Sequence, residues 1–288
     1  MRTTPYSDLN AVLQELVAGM RDALGTSFVG AYLQGSFGVG GADEHSDVDF
    51  AAVVEEELSV SQVETLQILH ERIFRLDSSW AQHLEGSYFP KNILRSCSRV
   101  STPLWYLDNG HRQLERSTHC NTVVVRWTVR EHAVALAGPL PALLIDPIPI
   151  EALRQEILET LHRWGQEILD DPRPFNNRFY QSFIVLSYCR MLHSLHTGTI
   201  GSKRTGAEWA KTALDPSWTA LIDRTWGGRP NPELSVRQPA DPADFTRTLE
   251  FIRYARGEAA RYAAGGCADT AVAVAQRDAL DPQSGPRD

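Results

Sequence analysis

Two aspartates separated by a single residue constrain the fold of this chain more than any other feature. They open the run 47–54 (DVDFAAVV), which predicts a strand buried on both faces because every residue after the acids is apolar. Side chains alternate along a strand, so Asp47 and Asp49 point to the same side. Two carboxylates this close repel each other unless a cation lies between them. The pair therefore predicts a site for Mg²⁺, which prefers carboxylates together with substrate phosphates.

A Gly-Ser turn precedes the acid pair and follows another predicted strand, over residues 28–33 (FVGAYL). Gly35 lets the backbone approach a ligand closely, and Ser36 offers an N–H and a hydroxyl group to a phosphate oxygen. The surrounding stretch, QGSFGVGGADEHSDVDF, lacks the Gly-Lys-Ser/Thr run of a Walker A motif and is not a Rossmann fingerprint. Turn and acids together predict a site for a metal-bound triphosphate.

Helical and extended segments alternate in the first half of the chain, which indicates an α/β arrangement: a mixed sheet flanked by helices. Apolar residues at helical spacing predict helices over 8–24 and 59–76, and a short helix over 129–137 is expected to end at a Gly-Pro pair. Further strands are expected over 83–90 and over 120–127, where CNTVVVRW is rich in β-branched residues.

The second half of the chain has almost exclusively helical periods. Helices are expected over 151–169, 177–197, 204–214, 216–226 and 242–264, after a linker broken by prolines (LIDPIPI). The sequence thus predicts a sheet-containing domain over residues 1–150 and an all-helical domain over residues 151–264. The tail over residues 265–288, rich in Gly, Ala, Asp and Pro, is predicted to be disordered.

Composition excludes several classes of protein. The net charge of −8 argues against a duplex nucleic acid partner, which requires a dense basic face, and is compatible with a cationic substrate. No apolar run reaches the length of a membrane span, and the N-terminus lacks the apolar region of a signal peptide. The four cysteines follow no disulfide framework, which indicates reduced thiols. We therefore expect a cytoplasmic monomer without a membrane partner.

The residues do not indicate a zinc cluster or a hydrolase triad. His119 and Cys120, grouped with His83 or His111, follow no zinc-ligand spacing, so a zinc cluster of that set is not expected. Ser36 lies in no G-x-S-x-G motif, so a hydrolase triad is not expected either.

The opening stretch resembles a known signature. GSFGVGGADEHSDVDF is similar to the signature of the polymerase-beta-like nucleotidyltransferase superfamily. Segments 129–139 (VREHAVALAGP) and 186–210 (LSYCRMLHSLHTGTIGSKRTGAEWA) resemble the streptomycin/spectinomycin adenylyltransferase family, which joins a nucleotidyltransferase domain to a helical C-terminal domain. The resemblance implies that residues 1–150 form the nucleotidyltransferase domain, that ATP is a co-substrate and that two Mg²⁺ ions take part.

The resemblance also implies roles for the acids. Asp47 and Asp49 would bind the metals, and Glu85 on a later strand would be the third carboxylate ligand. Glu85 would act as general base, taking the proton of an acceptor hydroxyl that attacks the α-phosphorus of ATP. AMP would be transferred and pyrophosphate released, a reaction that depends on positioning and charge neutralisation.

Four further residues are candidates for the nucleotide. Arg190 lies in an otherwise apolar helix, where a charge requires a partner, and its planar guanidinium suits phosphate. Arg190 and Lys203 match positions where the family places cations on the triphosphate. Ser46 matches a polar position that contacts nucleotide, and Trp226 falls near the aromatic residue that faces adenine.

The acceptor implied by the resemblance is a small cationic aminoglycoside or aminocyclitol, bound between the two domains. Segment 170–182 departs from the family's pattern, and Tyr180 stands where a drug-contacting acid is expected. Two alternatives stay open: AMP transfer to a protein, an RNA or another metabolite, and a nucleotide-binding sensor without catalysis. The acids and aromatics that are candidates for binding a polycation are Trp105, Asp108, Glu131 and either Asp170 or Asp171.

Overall fold

A six-stranded mixed sheet forms the N-terminal region of the computed structural model, which describes residues 3–229 and 235–263. The spatial order of the strands is β5-β4-β3-β2-β1-β6. β2 and β3 run parallel, and every other neighbouring pair is antiparallel. The strands are β1 (Phe28–Leu33), β2 (Val48–Val54), β3 (Leu84–Pro90), β4 (Leu104–Leu107), β5 (Leu114–Ser117) and β6 (Val134–Ala137).

Helices cover both faces of the sheet, which explains why β2 is apolar throughout. Phe50, Ala52 and Val54 pack in a core beneath the first and third helices, whereas Ala51 and Val53 face the core beneath the fifth. The predicted burial of this strand on both faces is therefore confirmed. The helices of this region are α1 (Ser7–Leu24), α2 (Gly35–Gly38), α3 (Val60–Phe74), α4 (Lys91–Leu94) and α5 (Val123–His132).

The C-terminal region is helical, as predicted. α7 lies at its centre and packs against α6, α8, α9 and α10 around a common apolar core. Within the described residues, no helix is both long and apolar enough to cross a membrane. The domain boundary at residue 150 stays a prediction, and the predicted disordered tail, 265–288, lies outside the described residues. The helices are α6 (Ile150–Asp170), α7 (Arg178–Thr197), α8 (Lys203–Ala213), α9 (Thr219–Gly227) and α10 (Pro242–Ala263).

The sequence prediction was wrong around residues 120–137. The segment CNTVVVRW begins helix α5 instead of forming a strand. Thr122 caps this helix by accepting a hydrogen bond from the Val125 N–H at 3.1 Å. Glu156 of α6 accepts bonds from the N–H groups of Val123 and Val124 at 2.7 and 2.8 Å. These caps satisfy N-terminal amide groups and outweigh the extended preference of three consecutive valines.

The predicted helix over 129–137 is also wrong in its second half. α5 ends at His132, and residues 134–137 form β6, which pairs with β1 at one edge of the sheet. Strands β4 and β5 were not predicted, because each has only four residues and little alternation. These two short strands extend the sheet on the side of β3.

A buried histidine makes the stability of the N-terminal region sensitive to acid. His70 of α3 bonds to the Tyr88 hydroxyl at 2.8 Å and stacks on Phe50. Burial lowers the pKa of His70 to about 4, below the value of roughly 6.5 expected in the unfolded chain. The folded state therefore favours the neutral ring, and this stability is lost as the pH falls from about 6.5 through 4.

We expect the free energy of unfolding to fall by on the order of 3 kcal/mol from this residue alone between pH 7 and pH 4. The H70Q variant removes the titrating group, so its stability should depend less steeply on pH than that of the wild type. Urea denaturation across this range measures the difference, with H111Q as control because His111 is exposed. Equal pH slopes for wild type and H70Q would contradict the prediction.

Candidate active site

Three carboxylates meet at the start of two neighbouring parallel strands. β2 and β3 pair so that Asp49 lies opposite Glu85. Asp47 directly precedes β2, two residues before Asp49, so the two aspartates share a side of the strand. The structure thus brings together the three acids singled out in the sequence.

Gly35 packs directly against one of these acids. Its φ is +57°, in the left-handed region that favours glycine. A Cβ atom at this position would lie 1.8 Å from Asp49 Oδ2. The neighbouring Gln34 N–H donates to the Asp49 carbonyl oxygen at 2.8 Å. The predicted Gly-Ser turn forms the first two residues of the short helix α2. Its glycine, Gly35, packs against the Asp49 side chain.

Burial and mutual repulsion raise the pKa values of the acids. Burial, followed by the charges of Glu85 and Asp47, raises the pKa of Asp49 to about 7. Burial also raises the pKa of Glu85, although a hydrogen bond from Tyr106 opposes this change. A divalent cation would supply the opposite charge that these carboxylates need. An all-oxygen donor set of this kind fits Mg²⁺.

Two cations of the helical region face the acids. Arg190 of α7 and Lys203, the first residue of α8, both act on Asp49 and lower its pKa by their charge. Burial lowers the pKa of Arg190. Burial, together with the charge of Arg190, lowers the pKa of Lys203 to about 8. Two half-buried positive groups beside a carboxylate cluster form a setting suited to a metal-bound polyanion.

Close contacts between glycines and the helical region hold these cations in place. A Cβ at Gly41 would lie 2.1 Å from the Ser202 Cβ, so the glycine-rich loop after α2 touches the start of α8. A Cβ at Gly206 would lie 2.6 Å from the Arg190 Cα, so α8 packs closely on α7. The Ser202 hydroxyl caps α8 by accepting from the Thr205 N–H at 3.0 Å. These contacts place Lys203 at the boundary between the sheet and the helices.

The two predicted serines differ in their surroundings. Ser36 has a buried hydroxyl oxygen with no hydrogen-bond partner within the described structure. Ser46 instead organises its own loop: its hydroxyl accepts from the Asp43 N–H at 3.0 Å and lies 3.3 Å from Asp43 Oδ1. An unpartnered buried hydroxyl is costly, so Ser36 has the capacity to bind a ligand oxygen. The nucleotide contact of Ser46 stays a prediction.

Trp226, the predicted adenine neighbour, lies beneath a cation that the sequence analysis missed. The guanidinium carbon of Arg229 is 4.7 Å from the centroid of the Trp226 ring. Arg229 also pairs with Asp43 and lowers the pKa of Lys203 through its charge. Arg229 follows the end of α9, in the segment GGRP. It therefore belongs to no periodic pattern that would have marked it in the sequence.

Two polar residues beside the acids were also missed. The Tyr106 hydroxyl lies 2.8 Å from both Glu85 Oε1 and Asp108 Oδ1. The Asn109 side-chain amide donates to Asp47 Oδ1 at 2.7 Å. Tyr106 belongs to β4, and Asn109 follows the end of this strand by two residues. Because β4 was not predicted, the sequence did not indicate that either residue lies beside the acids.

The residues predicted for the acceptor are dispersed. Asp108 is linked to Glu85 because the Tyr106 hydroxyl bonds to both carboxylates. The acceptor role of the whole set stays a prediction. The others have their own partners: Arg116 lies over the ring of Trp105, Arg130 pairs with Glu131, Gln166 donates to Asp170, and Arg173 pairs with Asp171.

Known proteins resemble this chain over most of its length. Residues 143–235 match the family described as aminoglycoside adenylyltransferase, C-terminal domain. An aminoglycoside (3'') (9) adenylyltransferase from Shigella flexneri is 23% identical over 282 residues, which cover 90% of this chain and 97% of the relative. The chain thus resembles the aminoglycoside adenylyltransferase family. Another relative, a spectinomycin 9-adenylyltransferase from Staphylococcus aureus, is 27% identical over 219 residues, or 71% of this chain and 78% of the relative.

A solved structure shares the fold of this chain. It is the spectinomycin adenyltransferase AAD(9) from Enterococcus faecialis, crystallised with ATP and spectinomycin. The two align with a TM-score of 0.63 at 15% identity, covering 87% of this chain and 98% of that chain. The predicted fold class, a nucleotidyltransferase sheet followed by helices, is confirmed, and so is the prediction that the chain is a nucleotidyltransferase.

Proposed function

We propose that this protein transfers AMP from ATP to a hydroxyl group of a small cationic acceptor of the aminoglycoside or aminocyclitol class, with Mg²⁺. The observation that carries the proposal is the pairing of Asp49 with Glu85 on parallel strands, facing Arg190 and Lys203. The names of the relatives support the acceptor class, since they are aminoglycoside and spectinomycin adenylyltransferases.

Asp47, Asp49 and Glu85 would hold the metal ions, two in number by analogy with the superfamily. When bound, Mg²⁺ supplies charge that stabilises the entering and leaving oxygens of phosphoryl transfer. Arg190 and Lys203 bind the triphosphate from the opposite side, and the unpartnered Ser36 hydroxyl offers a further donor to a phosphate oxygen. Together these groups orient the α-phosphorus toward the acceptor.

Glu85 takes the proton of the acceptor hydroxyl. The acceptor oxygen then forms a bond to the α-phosphorus, and the bond from that phosphorus to the bridging oxygen of pyrophosphate breaks. Burial raises the pKa of Glu85, which strengthens its affinity for the proton. The Tyr106 hydroxyl, 2.8 Å from Glu85 Oε1, fixes the orientation of the carboxylate.

Charge favours a cationic acceptor. The chain has a net charge of −8, and Asp108 adds a carboxylate next to Glu85 through Tyr106. Acidic clefts raise the local concentration of cations and their rate of encounter. A monomeric, cytoplasmic protein stays a prediction.

The proposal is tested by incubating the purified protein with Mg·ATP and a panel of aminoglycosides and aminocyclitols. We expect pyrophosphate release and an AMP-modified drug by mass spectrometry, both abolished by a chelator of Mg²⁺. The D47N variant, which lacks one of the proposed metal ligands, is the inactive control. Nucleotide binding without any modified drug would overturn the proposed acceptor and direct the search to metabolites, proteins or RNA. Failure to bind Mg·ATP would overturn the proposed reaction itself.

A further inference from the structure

Two side chains that the proposed reaction does not use flank Glu85. His119 and Cys120 lie in the connection between β5 and α5. His119 Nε2 is 3.6 Å from Glu85 Oε1, and Cys120 Sγ is 3.8 Å from the same oxygen. All three ligand atoms lie within 4.8 Å of one another. An imidazole, a thiol and a carboxylate therefore converge on one point.

The separations are close to those of a tetrahedral metal site. Zinc binds sulfur at about 2.3 Å and nitrogen or oxygen at about 2.0–2.2 Å, which puts tetrahedral ligand atoms roughly 3.3–3.6 Å apart. The His119 distance of 3.6 Å lies at the upper end of this range, and the Cys120 distance of 3.8 Å exceeds it by about 0.2 Å. The His119 side chain is 68% exposed, so it is free to adjust, whereas the buried Cys120 is fixed by packing.

The donor types select a particular class of metal. Mg²⁺ prefers oxygen ligands, whereas a thiolate and an imidazole favour Zn²⁺ and similar ions. This set differs from the Asp47 and Asp49 pair, which offers oxygen only. Three protein ligands with an open fourth position suffice for zinc in many proteins.

We propose that Glu85, His119 and Cys120 bind Zn²⁺ or another thiophilic divalent cation, and that the bound ion inhibits the transferase by engaging Glu85. The inhibitory part rests on the proposed function, because it requires Glu85 to be the base. The binding part depends only on the three side chains.

Inhibition follows from the position of the ion. The contacts from Tyr106, His119 and Cys120 all reach the same oxygen of Glu85, Oε1. A cation bound there withdraws electron density from the carboxylate and weakens its affinity for a proton. Its charge also repels any Mg²⁺ held by Asp47 and Asp49. Both effects slow AMP transfer. Neither prevents Arg190 and Lys203 from binding the triphosphate.

Cobalt absorption tests binding without any substrate. Co²⁺ is titrated into the untagged full-length protein, and the thiolate-to-cobalt charge-transfer band in the near ultraviolet is recorded. We expect the band in the wild type and in C97S, a matched control because Cys97 is not part of the trio. C120S should lose the band, and H119A should bind at least about ten-fold more weakly. Absence of the band from the wild type, or its presence in C120S, would overturn the site.

Zinc inhibition is measured as pyrophosphate release at fixed Mg·ATP, each variant normalised to its own rate without zinc. We expect C120S and H119A to need at least about ten-fold more zinc than the wild type for half-inhibition. Zinc bound at Asp47 and Asp49 would inhibit all variants alike. Equal zinc concentrations for half-inhibition in the wild type and the variants would therefore overturn the proposal that zinc inhibits through this site. A cobalt band in a protein that transfers no AMP would support the site while the proposed function fails.

Discussion

Replacing Glu85 by glutamine is expected to reduce turnover by roughly 10²–10⁴-fold, the range for loss of a general base. The glutamine side chain has nearly the same size and keeps an oxygen that can accept the Tyr106 hydrogen bond. It cannot take a proton from the acceptor hydroxyl. Pyrophosphate release at saturating Mg·ATP and acceptor measures the loss, and a fluorescent ATP analogue checks that nucleotide binding is largely retained.

Stability separates this effect from misfolding. Because burial raises the pKa of Glu85, its charge is unfavourable in the folded state at neutral pH. E85Q should therefore unfold at the same temperature as the wild type or at a higher one. E115Q is the matched control, since Glu115 is an exposed glutamate of β5 in the same sheet. Turnover of E85Q within about three-fold of the wild type would show that Glu85 is not the base.

Replacing Gly35 by alanine is expected to lower turnover by about 10²-fold or more, because a misplacement of about 1 Å in a catalytic group has an effect of this size. The new Cβ would lie 1.8 Å from Asp49 Oδ2, so the carboxylate must move. Alanine is also strained at a φ of +57°, which costs about 1–2 kcal/mol by itself. Steady-state kinetics and urea denaturation measure the two effects.

Gly40 provides the control for backbone strain. It has a φ of +71°, and a Cβ there would meet nothing within 4 Å. G40A should therefore lose about 1–2 kcal/mol of stability with little change in turnover. If G35A and G40A lose activity equally, the contact between Gly35 and Asp49 is not what matters.

The acids could be predicted from sequence because their signal is local. Asp47 and Asp49 open an apolar strand after a Gly-Ser pair, and this spacing is specific enough to suggest the fold. Glu85 needed the family resemblance, because nothing in its own segment reveals the parallel register that sets it opposite Asp49. Arg190 was visible as a charge within an apolar helix.

The errors arose where distant parts of the chain decide local structure. The valines of α5 favour a strand, but Glu156, which belongs to α6, caps their amide groups. Sequence spacing pairs His119 and Cys120 only with other histidines, whereas the fold places both beside Glu85. Such partners become apparent only when the register of the sheet is known. Sequence-spacing rules for zinc ligands do not describe a site whose carboxylate lies on β3 and whose imidazole and thiol lie between β5 and α5.

The contact between Gly41 and Ser202 bears on the order in which the protein is built during translation. The strands and their acids leave the ribosome first, and domains generally fold from the N-terminus onward. The cations follow only with α7 and α8. The start of α8 packs at Gly41 through Ser202, next to Lys203, whose charge acts on Asp49. A nascent chain that ends before α7 therefore holds its carboxylates without their counter-charges. Docking of α8 is the step that brings Lys203 to the carboxylates of a sheet that has already folded.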